Sequence, residues 1–247
     1  MTTYNKRNSA SQVMSISQLT TQTNDFLDIL KVITANFTPK DRLYITTDIT
    51  WSQYENITKQ LSNQSHYRTS YLDGTVQIMS PGRNHEKIKE YLSSLLEAYF
   101  QEAEIDYYPL GSTTFRLEPM QVGKEPDFCY CLRKEKEFPD LAVEVIFCGE
   151  TPRPYRIPQA YRRKTQGNAH QDSGGIDILE IYKRLQVKEV WLWQNNEIKI
   201  YCLNDNNYTE SQFSQLLPDL DISLLLKYLS QSNLRLAIKE FRQELQK

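Results

Sequence analysis

Glu125-Pro126-Asp127-Phe128-Cys129-Tyr130-Cys131-Leu132 and, further on, Asp140-Leu141-Ala142-Val143-Glu144-Val145-Ile146-Phe147 are the two stretches on which the fold turns. Both read as strands. The second is a run of β-branched and apolar residues with one carboxylate in its middle, the composition of a strand buried on both faces. Strand residues alternate faces with period two. Asp127 therefore shares a face with Glu125 and Cys129, and Glu144 shares one with Ala142 and Ile146. A lone carboxylate in an apolar run is costly to desolvate unless something pairs it. If the two strands are neighbours, Asp127 and Glu144 come within a few ångströms, and their repulsion raises both pKa values unless a divalent cation sits between them. Oxygen-only ligation with open positions suits Mg²⁺ or Mn²⁺. Such a metal can polarise a phosphate and activate water for hydrolysis. The alternative is a buried glutamate held by an arginine or by backbone N–H groups.

Outward from these strands the pattern alternates between helix and strand. Thr50 and Gln53 have capping-box spacing ahead of a helix through about Leu61. Ser70 to Met79 reads as a hairpin turning at Asp73-Gly74. After Ser80-Pro81-Gly82 a helix presents Ile88, Tyr91, Leu92, Leu95, Leu96 and Tyr99 on one face. At 100° per residue His85 lies within that stripe, so it faces the sheet, whereas Glu86 projects to the opposite side. His85 is thus a candidate to line a site built on the strands; the alternative is a satisfied histidine at a helix start. A strand region from Ile105 to about Leu117 contains Gly111-Ser112-Thr113-Thr114. Ser173-Gly174-Gly175 opens a helix bearing Ile178, Ile181, Tyr182 and Leu185. Val190–Trp193 and Ile198–Cys202 form a second hairpin. Leu216-Leu217-Pro218-Asp219-Leu220 is expected to close the sheet, and the chain is helical from Asp221 almost to the end. The order predicts an α/β fold with a mixed central sheet flanked by helices. No GxGxxG or Walker A sequence is present, which argues against a nucleotide-binding fold.

The expected organisation is a partly disordered arm over residues 1–40, a main domain over 41–230 and a C-terminal helix over 231–247. Residues 148–172 interrupt the main domain. They hold Pro152, Pro154 and Pro158, with Arg153, Arg156, Arg162, Arg163 and Lys164, and few aliphatic residues. A connection of that length is well above the usual range, so it reads as an insertion. Tyr155 and Tyr161 interleave with its cations in a way that suits phosphate gripping and base stacking, or simply a solvated loop.

The chain has 247 residues, with 29 Lys+Arg against 31 Asp+Glu, a net charge of −2. It has no global basic field of the histone type and no acidic excess of the kind that marks a disordered tail. A chain of this size buries roughly 70% of its unfolded surface and needs no covalent staples. Cys129, Cys131, Cys148 and Cys202 do not form a disulfide framework. Cys129, Cys131, Cys148 and His170 match no standard zinc spacing. No apolar run is long enough to span a bilayer, and the N-terminus lacks the features of a signal peptide, so a cytoplasmic protein is expected.

Several short motifs together resemble the Uma-type restriction-endonuclease family. They are Tyr71-Leu72-Asp73-Gly74, Met79-Ser80-Pro81 with His85, Gly111-Ser112-Thr113-Thr114, Glu125-Pro126-Asp127 and Pro139-Asp140-Leu141-Ala142-Val143-Glu144-Val145. After the insertion come Ser173-Gly174-Gly175-Ile176-Asp177, Leu179-Glu180-Ile181-Tyr182, Val187-Lys188-Glu189-Val190-Trp191 and Leu217-Pro218-Asp219-Leu220-Asp221. The similarity covers about residues 42 to 230. It implies a restriction-endonuclease-like PD-(D/E)XK fold and metal-dependent hydrolysis of DNA phosphodiester bonds. Asp127 would be the aspartate of the PD motif and Glu144 the acid of (D/E)XK, the two holding Mg²⁺ or Mn²⁺, with His85 lining the site.

Two departures stand out. The lysine of (D/E)XK is replaced by Ile146. The family's alternative lysine position, four residues before the helix tyrosine, is Ile178. Lys183 is turned by about 140° from position 178 and points away. The insertion also separates the Glu144 strand from the next helix, which entropy tolerates but the geometry of a site tolerates less well. Three readings follow: a metal-dependent endonuclease, with a homodimer expected because double-strand cutting needs two sites; a nuclease-like protein that has lost turnover and binds DNA or a partner; and an interaction protein using the C-terminal stripe Leu234, Ile238, Phe241 and Leu245.

Overall fold

The structure is a computed structural model that describes residues 42–62, 67–147 and 176–247, all within the compact unit Thr38–Lys247. The expected N-terminal arm, the insertion over 148–172, Cys148, His170 and Ser173-Gly174-Gly175 lie outside the described residues. Two sheets organise what is described. The first is antiparallel, with spatial order β1-β3-β2-β6-β5, from β1 (Arg42–Thr46), β2 (Arg68–Leu72), β3 (Thr75–Ser80), β5 (Phe115–Leu117) and β6 (Val122–Lys124). The second has the order β11-β10-β9-β8-β7-β4, from β4 (Tyr107–Pro109), β7 (Phe128–Leu132), β8 (Leu141–Ile146), β9 (Glu189–Gln194), β10 (Glu197–Asn204) and β11 (Asn207–Ser211). It is mixed: β8 and β9 are parallel and its other pairs are antiparallel. With its helices this is the α/β architecture the sequence predicts.

The helices form where local signals place them. Thr50 accepts from the Gln53 N–H at 3.3 Å and Gln53 accepts from the Thr50 N–H at 2.8 Å, a closed capping box that starts α1 (Trp51–Leu61). Asp73 (φ 45°) and Gly74 (φ 83°) make the left-handed turn between β2 and β3. The apolar stripe of α2 (Arg83–Glu102) buries Leu92, Leu95, Leu96 and Tyr99. It packs with α4 (Ile222–Leu229) and α5 (Leu234–Leu245) over one face of the second sheet, against Phe128, Tyr130, Val143, Val145, Trp191 and Ile200. Phe241, Ile238 and Leu245 of α5 belong to this core, so the C-terminal stripe is occupied by its own domain. The opposite face, with Cys129, Ala142, Val190 and Tyr201, packs on α3 (Ile178–Arg184) and on Leu72, Phe115 and Val122 of the first sheet.

Some expectations are corrected. The region from Ile105 to Leu117 is two strands in different sheets, because Gly111 (φ 57°) and a turn at Thr113 divide it. The strand expected over Glu125–Leu132 begins only at Phe128, because Pro126 cannot donate to a ladder, and β6 before it belongs to the other sheet. Leu216–Leu220 is not a strand; the edge is β11, reached through a turn at Asp205 and Asn206, both at positive φ.

β6 lies closely under α1. A Cβ on Gly123 would stand 2.5 Å from Cε1 and 2.7 Å from Cζ of Tyr54. Tyr54 is fully buried, stacked on Tyr71 at 4.8 Å and set against Trp51 at 5.4 Å, so its ring cannot retreat. Gly123→Ala is expected to lower unfolding stability by about 1–3 kcal/mol, the usual range for overpacking. A urea denaturation curve reads this directly, and an unchanged midpoint would show that α1 yields.

Candidate functional site

The chain passes from the first sheet to the second between Lys124 and Phe128, and the site lies at that crossing. β7 and β8 are antiparallel, with Phe128 opposite Val143 and Cys129 opposite Ala142. Continuing this register by one residue sets Asp127 opposite Glu144, the neighbouring arrangement on which the carboxylate pairing depends. Asp127 also accepts the Val145 N–H at 2.8 Å, which fixes its side chain against β8. Both acids are buried, Asp127 to 2% and Glu144 to 4% exposure.

Each carboxylate has its own set of partners. His85 Nε2 is 3.1 Å from Asp127 Oδ2, and Arg68 Nε is 3.4 Å from Oδ1. Lys124 Nζ is 2.9 Å from Glu144 Oε1, and the Tyr182 hydroxyl donates a short hydrogen bond to the same oxygen. These differences divide the two acids. Burial raises the Asp127 carboxyl, but the hydrogen bond and charge of His85, then Arg68 and Lys124, outweigh it and hold Asp127 below its ordinary value. Glu144 goes the other way: burial, joined by the Asp127 charge, raises it despite Lys124 and Tyr182. Burial and the Glu144 charge push the Tyr182 phenol far up, so it remains a proton donor.

His85 faces the sheet and is fully buried, so it touches Asp127 rather than an open surface. Glu86 is not remote from the site, contrary to its position on the helical wheel. It accepts from Arg68 at 3.0 Å and pairs with Lys89 at 2.6 Å. The arginine that reaches Asp127 thus spans to the helix start and draws Glu86 in.

Arg68, Lys124 and the Tyr182–Glu144 contact join the site without a local signal of their own in the sequence. Lys124 is the last residue of a three-residue strand, too short to show a period of two, and its burial depends on β2–β6 pairing across fifty residues of sequence. Gly123 beside it was the available clue, since a glycine within a strand marks close backbone approach.

Glu125 is the third acid nearby. Burial, then the Asp127 and Glu144 charges, lift it to about 6 against the pull of Arg68 and Lys124. The folded chain therefore holds this proton more tightly than the unfolded chain, and stability falls as pH rises from 4.5 to about 6. Glu125→Gln removes that cost. Parent and variant are expected to melt together below about pH 4, with the variant melting higher above about pH 6. Thermal melts across this range check it; an equal gap at every pH would contradict it.

Among the described residues no group of three or more His, Cys, Asp or Glu is arranged to hold a metal ion. Cys129 donates to the backbone carbonyl of Gly111, and Cys131 to those of Lys136 and Phe138. Asp127 and Glu144 nevertheless suit a small hard cation, because Mg²⁺ keeps several waters and needs only one or two carboxylates. Asp127 Oδ1 is buried and accepts no hydrogen bond, which leaves an oxygen able to ligate. No helix among the described residues is long and apolar enough to cross a membrane.

None of the curated proteins compared with this chain matches it. A family model does. It is that of Uma2, described as "Putative restriction endonuclease", and it matches residues 51–237, well over half of the chain and every site residue named above. The chain belongs to the Uma2 family of restriction-endonuclease-like proteins.

Proposed function

We propose that the protein is a metal-dependent DNA endonuclease that hydrolyses phosphodiester bonds at the Asp127–Glu144 pair. The observation that carries this reading is a pair of buried carboxylates, Glu144 within β8 and Asp127 immediately before its partner strand β7, with an Asp127 oxygen that receives no hydrogen bond. Hydrolysis adds one water. Its oxygen bonds to phosphorus, the bond from phosphorus to one ester oxygen breaks, one water proton passes to that oxygen, and the other stays on the new phosphate end. Asp127 and Glu144 would hold Mg²⁺ or Mn²⁺, which supplies positive charge to the phosphate and lowers the pKa of bound water. His85 and the Val145 N–H orient Asp127; Lys124 and Tyr182 orient Glu144.

A second reading has its own support: Ile146 and Ile178 stand where the family's lysine is expected, and both acids already meet protein cations. On this reading the protein binds DNA or a partner without turnover. Incubating the purified full chain with supercoiled plasmid separates the two. Cleavage in Mg²⁺ or Mn²⁺ that stops on chelation supports the nuclease. No cleavage by the parent, with cleavage gained in Ile178→Lys or on deletion of residues 148–172, supports the second. A bound metal is also expected to raise the melting temperature, by mass action on the folded state.

A further inference from the structure

Burying a lysine requires a reason. Lys124 is 5% exposed, on a strand whose neighbouring residue is held tightly under α1. Desolvating an ammonium costs several kcal/mol unless charge and hydrogen bonds offset it. An ammonium has three N–H donors. Two are committed here, to Glu144 Oε1 at 2.9 Å and to the backbone carbonyl of Glu125 at 3.1 Å. The third has no acceptor among the described residues. This ammonium stands against one of the two carboxylates, at the seam where the chain crosses between sheets. No lysine is available from β8 itself, where the residue is Ile146, or from the start of α3, where it is Ile178.

We propose that Lys124 is the catalytic cation of the site, holding Glu144 with one N–H and presenting another to the non-bridging oxygen of the scissile phosphate. Positive charge fixed where negative charge develops on the phosphate is among the largest contributions a side chain makes to such a reaction. The lysine is thus supplied by the opposite sheet, three residues before Asp127, rather than by the strand of Glu144. Position 178 is the natural place for an independent check. It lies one helical turn before Tyr182 on the same side of α3, and Tyr182 reaches Glu144 Oε1. A lysine introduced there starts on the side of the helix that faces the same carboxylate.

The inference rests on the nuclease reading, and one set of plasmid-cleavage assays tests both. The parent, Glu144→Ala, Lys124→Met, Lys124→Gln and the double variant Lys124→Met with Ile178→Lys are compared in Mn²⁺. The expected result is a fall in kcat of at least about a hundredfold in Lys124→Met, with KM for DNA changed by less than about threefold. The double variant should regain at least about tenfold of that loss. The rise in melting temperature on adding Mn²⁺ should persist in Lys124→Met, since both carboxylates remain. If Lys124→Met does not fold, Lys124→Gln, which keeps N–H donors without the charge, carries the same expectations. A parent that cleaves and is silenced by Glu144→Ala, beside lysine variants of undiminished kcat, overturns the role of Lys124 alone. Loss of the Mn²⁺ response in the lysine variants also overturns it, because Lys124 would then only hold the site together. A parent that does not cleave overturns the nuclease reading and this inference with it.

Discussion

Glu144→Gln is expected to cleave plasmid at least about a thousandfold more slowly than the parent, because one of two carboxylates able to hold the cation and place water is removed. The substitution is nearly isosteric, and its amide oxygen still accepts from Lys124 and Tyr182, the two donors at Oε1. What changes is charge. Lys124 is left without its counter-ion in a buried site, so a divalent cation meets net repulsion where it met attraction. The rise in melting temperature on adding Mn²⁺ should therefore vanish together with cleavage. A variant that cuts at the parental rate would remove Glu144 from the reaction. One that loses cleavage but keeps the full Mn²⁺ response would move metal binding away from this residue.

The second large effect is on stability. Arg68→Met is expected to cost about 3–5 kcal/mol, the usual consequence of removing one partner from a buried ion pair. Arg68 has a side-chain exposure of 8% and joins Asp127 at 3.4 Å to Glu86 at 3.0 Å. Asp127 would keep His85 and the Val145 N–H but lose its permanent cation. The loss should depend on pH with a definite sign. Asp127 and Glu86 are both held below their ordinary values in the folded chain. Their contribution is complete above the unfolded values of 3.8 and 4.5 and is lost as pH falls towards the depressed ones. Urea midpoints of parent and variant should thus converge on acidification. A difference below about 1 kcal/mol at neutral pH would class Arg68 with ordinary surface pairs.

The sequence made some of this site legible and hid the rest for physical reasons. The capping box at Thr50, the turn at Asp73-Gly74 and the stripe of α2 are local signals, each complete within a few residues, and each appears where the pattern places it. The neighbouring strands at Asp127 and Glu144 were legible because an isolated carboxylate in an apolar strand must find a partner. The two-sheet division was not. β4, β5 and β6 are three residues long, too short for alternation to be read, and Gly111 and Pro126 mark breaks without saying which sheet the chain enters next. Lys124 and Arg68 were hidden for a related reason, because their burial arises from pairing between distant strands. The helical wheel put Glu86 on the outer face correctly, but it could not foresee an arginine from another element reaching around to it.

The site's residues are drawn from Arg68 on β2 to Tyr182 on α3, across both sheets. Contacts this distant in sequence are slow to form because long loops must close first, and domains generally fold as units during synthesis. A growing chain can complete the β2–β3 hairpin and α2 long before Glu144 acquires Tyr182 or β8 acquires its parallel neighbour β9. The surroundings of these carboxylates are therefore complete only once the chain has passed α3 and β9, well beyond Asp127 and Glu144 themselves.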